Sequence, residues 1–142
     1  MERKASAIWK GSLREGAGSI STDSGILKNT PYSFTTRFEN APGTNPEELI
    51  AAAHAGCFTM ALSGQLAAAK LTADQIATTA TLTLEKLDAG WTNSKIHLDV
   101  SARVPGASAE AFQTAAASAE KNCPVSRLLK AEITMTAKLE NG

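Results

Sequence analysis

The sequence predicts an α+β domain. Four stretches alternate apolar and polar residues with the two-residue period of a strand. One stretch of 21 residues carries no Asp, Glu, Lys or Arg and has the length of a long helix. These elements do not repeat as regular strand–helix–strand units, which separates the chain from the α/β class. The 142 residues fit a single domain, 1–142, large enough to bury a core without disulfide or metal staples.

A first strand is predicted over Ala5–Lys10, and Arg14-Glu15-Gly16-Ala17-Gly18 reads as a turn. Ser19–Thr22 pairs back as a second strand, followed by a turn at Asp23-Ser24-Gly25. Tyr32–Glu39 reads as a strand, with Tyr32, Phe34, Thr36 and Phe38 on one face and Ser33, Thr35 and Arg37 on the other.

A loop, Asn40–Asn45, leads to a helix start. Asn45 suits the N-cap because its side-chain oxygen accepts a backbone N–H that the helix leaves unpaired. Pro46 suits the first helical position, where its missing donor costs nothing. Glu47 and Glu48 place negative charge at the positive end of the helix dipole, and Glu48 completes a capping-box pattern with Asn45. The helix is predicted to run to about Lys70, through the uncharged stretch Leu49–Ala69. Its length suits a membrane span, but it is mostly Ala and Gly, interrupted by His54, Ser63 and Gln65. A helix without a charged face is read as a buried one, and no membrane partner is expected. One sheet of a chain this size covers one side of it, so a second copy of the chain is expected on the other.

Thr79–Leu87 alternates as a strand, with Ala80, Leu82 and Leu84 against Thr81, Thr83 and Glu85. After a turn at Asp88-Ala89-Gly90, Lys95–Val104 alternates again, with Ile96, Leu98, Val100, Ala102 and Val104 facing one way. Ser108 caps a second helix from Ala109 to about Lys121, and Asn122-Cys123-Pro124 breaks it. Pro124 starts a short helix to Lys130, and Glu132–Glu140 is a last alternating strand.

Composition excludes several functions. Fourteen basic residues balance fourteen acidic ones, which argues against a nucleic-acid partner. Met1-Glu2-Arg3-Lys4-Ala5 lacks the apolar core of a signal peptide, so a cytoplasmic location is expected. P-loop, G-x-S-x-G and G-x-G-x-x-G patterns are absent. In a reducing compartment two cysteines are more often chemical than structural, which directs attention to Cys57 and Cys123.

Cys57 lies in the middle of the long helix, and taken alone it reads as a small buried hydrophobe. Gly56 beside it costs helix stability, about 1 kcal/mol relative to Ala, which points to close approach by a packing element or a substrate. Cys123 precedes Pro124 at the start of a short helix, where unpaired N–H groups favour a thiolate. Arg37 is either a solvated outer-face residue or a cation that holds a thiolate ionised and binds a substrate oxygen. Glu47 is not needed for the cap. Ten residues from Cys57 on one helix, about 15 Å of rise and about 280° of rotation, it acts on a thiol only through Arg37 or on another subunit. His54 and Cys57, three apart, suit either a Cys–His pair or two metal ligands. A four-ligand zinc site needs His97 and Cys123 as well, and a packed, hydrogen-bonded His54 is the preferred reading, with no metal expected.

Two motifs carry a family resemblance. Thr44-Asn45-Pro46-Glu47-Glu48-Leu49-Ile50-Ala51-Ala52-Ala53-His54-Ala55-Gly56-Cys57-Phe58 resembles the first signature of the OsmC/Ohr family, the osmotically inducible and organic hydroperoxide resistance proteins. Cys123-Pro124-Val125-Ser126 resembles the second, and Arg37-Phe38-Glu39 places the likeness nearer the OsmC branch. The resemblance implies antiparallel sheets around the long central helix in an intertwined homodimer. It implies a peroxidatic Cys57, a resolving Cys123 and a charged pair of Arg37 and Glu47. It further implies thiol-dependent reduction of organic hydroperoxides, no bound cofactor, and an external thiol reductant or reductant protein of the dihydrolipoamide type.

The expected cycle has Arg37, oriented by Glu47, stabilising the Cys57 thiolate and one peroxide oxygen. Cys57 becomes a sulfenic acid, and Cys123 converts it to a disulfide. Phe58, Met60 and Phe38 are expected to favour bulky organic peroxides. The alternatives are a redox sensor or binding protein using the same thiols without turnover, and a structural dimer with inert cysteines.

Overall fold

The computed structural model describes residues 1–141 and divides into two compact units, Met1–Leu49 and Ile50–Gly142. The first contains β1 (Ala5–Lys10), β2 (Ala17–Thr22), β3 (Thr30–Tyr32) and the five-residue helix α1 (Phe34–Phe38). The long helix α2 (Pro46–Ala68) starts in it. The second contains the rest of α2, then β4 (Gln75–Leu87), β5 (Gly90–Arg103), α3 (Ala109–Asn122), α4 (Pro124–Leu128) and β6 (Glu132–Leu139). The expected α+β class holds.

In the first unit the strands form an antiparallel sheet in the order β1-β2-β3. Gly18 is required where the Trp9 and Tyr32 rings meet, 5.4 Å between centroids, because a Cβ there would lie 2.5 Å from Tyr32. No residue of Met1–Leu49 is fully buried, and Ile8, Leu13 and Ile26 are exposed.

The predicted strand Tyr32–Glu39 is not formed: β3 ends at Tyr32, and Phe34–Phe38 is helical. The reason is a local capping box. The Ser33 hydroxyl accepts from the Thr36 N–H, and the Ser33 N–H donates to the Thr36 hydroxyl at 2.9 Å. Two reciprocal hydrogen bonds outweigh the β-preference of the Thr pair. Phe34 and Phe38, four apart, then stack on one helix face with centroids 4.8 Å apart.

The N-terminus of α2 follows the expected chemistry in half. Asn45 Oδ1 accepts from the Glu48 N–H at 2.8 Å, but Glu48 makes no return bond to the Asn45 N–H. The helix stops at Ala68, two residues before the expected end. Lys70 takes a left-handed φ of 59°, Leu71 N–H bonds Leu66 C=O and Lys70 N–H bonds Ala67 C=O. This Schellman closure ends the helix without a glycine.

The second unit holds the core. From α2 come Phe58, Leu62 and Leu66, all fully buried, spaced one turn apart. α2 is long and apolar enough to cross a membrane, and this stripe of it packs against protein. From β5 come Ile96, Leu98, Val100 and Ala102, with Val104 just beyond, the predicted inward face. From α3 come Phe112, Ala115, Ala116 and Ala119. Only one side of α2 is covered. Ala52, Ala53, Gly56, Met60, Ser63 and Gly64 remain exposed, Met60 at 78%. Among the described residues nothing outside its own helix turn lies within 4 Å of a Cβ built on Gly56, so no described packing element makes the close approach expected there.

The second sheet has the order β4-β5-β6, and its expected wholly antiparallel character needs correction. β4 and β5 are antiparallel, but β6 runs parallel to β5, with Lys95 opposite Glu132 and Ala102 opposite Leu139. The connection explains it: α3 and α4 carry the chain back to the end where β5 began, as a parallel pair requires. The β4–β5 register shifts between Thr83 and Leu84, with Ser94 the extra residue on β5, its hydroxyl donating to the Glu85 carboxylate. This bulge breaks the alternation predicted through Leu87.

Candidate active site

Cys57 and Cys123 come together in the second unit. α2 carries Cys57, one step from the buried Phe58. Cys123 is positioned by a helix break. Proline disfavours helical geometry in the residue before it, and Cys123 is extended, φ −57° and ψ 123°. Its N–H still closes α3 onto the Ala119 carbonyl at 2.8 Å, and Pro124 begins α4. One residue thus ends one helix and caps the next. It also extends the buried stripe of α3, one turn beyond Ala119, and is fully buried.

The two sulfurs lie 3.1 Å apart, close enough to share one proton, and both cysteines are free. Burial pushes the Cys57 thiol above its ordinary value, and the neighbouring Cys123 sulfur adds to this against a lowering contribution from the Val125 backbone. Burial also acts to raise Cys123. There it is outweighed by the Ser126 N–H, Cys57, the Ser126 hydroxyl and the Val125 N–H, so Cys123 falls below its ordinary value. No short cap hydrogen bond closes between the Cys123 sulfur and α4, so these groups act on it by approach rather than by a tight bond. Within this unit the pair's negative charge is best held on Cys123.

His54 is fully buried one turn before Cys57. Its Nε2 is 2.7 Å from the Ser126 Oγ, and its Nδ1 has no partner. Burial lowers its pKa, so it is neutral. The expected packed, hydrogen-bonded histidine is present. Ser126 is the residue that sequence reasoning missed: it stood in the second motif without a role, and its place three residues after Cys123 was the available signal. His97 has different neighbours, Thr134 and Thr136 on the adjacent strand. Among the described residues no three or more His, Cys, Asp or Glu side chains gather as metal ligands would.

Arg37 and Glu47 come together in the first unit. The last turn of α1 presents Arg37, and the first turn of α2 presents Glu47. Arg37 Nη2 donates to Glu47 Oε1 at 2.7 Å and Nε donates to Oε2 at 3.1 Å, a bidentate pair. Arg37 is therefore on a helix, not on the outer face of a strand. It lines a hollow of about 230 Å³ with Trp9, Leu13, Tyr32, Phe34 and Phe38. Of the three apolar residues expected beside a substrate, Phe38 lines this hollow, Met60 is exposed and Phe58 is committed to the core.

The comparisons agree with one another. A family model described as OsmC-like protein matches residues 38–138. The peroxiredoxin OsmC of Escherichia coli strain K12 is 48% identical over 141 residues, covering 99% of each chain. The peroxiredoxin OsmC of Shigella flexneri matches to the same extent. Among solved structures, an OsmC-like protein of unknown function from Vibrio cholerae aligns with a TM-score of 0.76 at 18% identity, covering 96% of this chain and 99% of that one. An organic hydroperoxide resistance protein of Bacillus subtilis aligns with a TM-score of 0.65 at 24% identity, covering 96% and 98%. At these identities the two structures speak for the fold alone.

Proposed function

The chain belongs to the OsmC-like family, and from that premise we propose that it reduces organic hydroperoxides to alcohols through a Cys57 sulfenic acid and a Cys57–Cys123 disulfide. It is a cysteine-based peroxidase. The observation that carries the finer reading is the 3.1 Å separation of two free sulfurs, about 1 Å longer than a disulfide bond.

The steps balance. The Cys57 thiolate attacks one peroxide oxygen, the O–O bond breaks, and the alkoxide leaves and takes a proton as an alcohol. Cys57 is then a sulfenic acid. The Cys123 sulfur attacks the Cys57 sulfur, a disulfide forms, and the hydroxyl leaves with a proton as water. An external dithiol of the dihydrolipoamide type returns both thiols and is itself oxidised to a disulfide.

A nucleophilic Cys57 needs help, because burial and Cys123 both raise its pKa. We assign that help to Arg37, held by Glu47, supplied by the same chain or by a second copy. The cation would stabilise the thiolate and the departing oxygen. The aromatic hollow around Arg37 favours an organic substituent over hydrogen peroxide. We also assign the working unit to a homodimer. The uncovered, uncharged side of α2 and a first unit without one fully buried residue both leave apolar surface for a second copy to cover.

Intact mass after one equivalent of cumene hydroperoxide tests the cycle. Wild type is expected to lose about 2 Da, and Cys123→Ser to gain about 16 Da as the sulfenic acid. A wild type that stays reduced overturns the mechanism. Consumption that stops after one equivalent, with excess dithiol present, identifies a sensor instead.

A further inference from the structure

We propose that the reduced Cys57 and Cys123 form a two-thiol binding site for trivalent arsenic compounds with one organic group, R–As(OH)2, the arsenic bridging the two sulfurs. The site needs only the thiols and their geometry, and does not depend on the peroxidase reading.

The bond angle is the first argument. Thiolates are soft ligands that favour soft acceptors, and both cysteines are free. With sulfur bonds of about 2.3 Å, the 3.1 Å between the sulfurs sets an angle of about 85° at a bridging atom. Trivalent arsenic bonds through p orbitals held close to right angles, with a lone pair in the remaining direction. On the same bond length a tetrahedral zinc ion needs sulfurs about 3.8 Å apart, and a linear two-coordinate ion about 4.6 Å.

The number of ligands is the second. A closed zinc site takes four protein ligands. Among the described residues no three His, Cys, Asp or Glu side chains gather at one place. His54 spends its Nε2 on Ser126, and His97 lies with Thr134 and Thr136. An R–As unit needs two thiols and no more, because its organic group holds the third bond.

Charge is the third. Cys123 is fully buried at the end of the apolar stripe Phe112, Ala115, Ala116 and Ala119. The bridged arsenic adduct is uncharged and sets no unpaired charge against that core, whereas a linear dithiolate of a univalent ion keeps one negative charge.

Cys57 supplies the way in. It sits at the edge of the covered stripe of α2, where His54 and Phe58 are fully buried and Ala53, Gly56 and Met60 are exposed. Ala53 and Gly56 are small and leave space for the organic group beside the sulfur. Any hydroperoxide must reach Cys57 from the same side.

The steps balance without redox. The Cys57 thiol displaces one hydroxyl of R–As(OH)2: an As–S bond replaces an As–O bond, and the thiol proton leaves in water. Cys123 displaces the second hydroxyl in the same way, giving a second water. Arsenic stays trivalent, and neither sulfur changes oxidation state. Because the second bond closes within one molecule, the bridged adduct is at least about 100-fold tighter than a single As–S bond.

Phenylarsine oxide, hydrated in water to this form, is the probe. Intact mass of reduced wild type is expected to show one phenylarsenic gained and two hydrogens lost per chain, with both thiols closed to iodoacetamide. Cys57→Ser and Cys123→Ser are each expected to bind at least about 100-fold more weakly. The wild-type adduct is expected to survive excess glutathione and to be released by dimercaptopropanol, which offers two thiols itself. This arm reads the bridge in wild type even if a variant does not fold. Zinc ions at the same concentration are expected to leave the alkylation rate unchanged. A wild-type adduct that glutathione removes overturns the proposal. So does a folded single-cysteine variant that binds as tightly as wild type, or zinc that protects the thiols as well as the arsenical does. No arm consumes peroxide, so a failed hydroperoxide test leaves this outcome standing, and a failed arsenical test leaves the peroxidase reading standing.

Discussion

Glu47 holds Arg37 by both carboxylate oxygens, with Nη2 donating to Oε1 at 2.7 Å and Nε to Oε2 at 3.1 Å. The guanidinium is thereby fixed in plane and direction, which a lysine in its place would not be. Arg37→Lys is expected to lower kcat/KM for cumene hydroperoxide about 10- to 100-fold, ~1.4–2.7 kcal/mol of transition-state stabilisation. Glu47→Gln is expected to act in the same direction. Steady-state rates of the two single variants and the double variant check that they work as a unit: the losses should fall well short of additive.

Acid sensitivity should trace to His54. Burial lowers its pKa from 6.5, so the folded protein holds it neutral while the unfolded chain protonates below that value. Its contribution is complete above about pH 6.5 and is lost as pH falls toward the lowered folded-state value, at up to ~1.4 kcal/mol per unit. Urea midpoints measured from about pH 7.5 to about pH 5 should fall for wild type and fall less for His54→Gln.

The core depends on one aromatic from the long helix. Phe58 is fully buried against the cluster that includes Leu98, Val100 and Phe112. Phe58→Ala is expected to cost ~3–5 kcal/mol through lost burial and a cavity. Equilibrium urea unfolding measures it, and a loss below about 1 kcal/mol would mean that the site collapses around the gap.

The proposed dimer predicts an effect of charge on the open side of α2. Met60 is 78% exposed in the single chain, on a face without a charged residue. Met60→Glu would bury two like charges at a symmetric interface and should weaken association at least about 100-fold. Sedimentation velocity at micromolar protein should then show monomer. An unchanged dimer would place the interface elsewhere.

Much of this was legible in residue order because it is governed within a turn or two of chain. The alternation of β5 and β6, the Asn45 and Ser108 caps, and the helix break at Pro124 all follow from neighbours. Tyr32–Glu39 misled because its apolar period also fits a short helix with Phe34 and Phe38 one turn apart. The capping box between Ser33 and Thr36 decided between the two.

By itself the sequence determined that this is an α+β chain with a long uncharged helix, and that two cysteines, Arg37 and Glu47 are its chemical candidates. Tertiary structure alone decided that β6 lies parallel to β5, that sulfurs 66 positions apart come within 3.1 Å, and that His54 meets Ser126. The physical reason is range. Caps, turns and periodicity act over a few residues, whereas these meetings depend on how α3 and α4 return the chain across the sheet and which side chains are buried together.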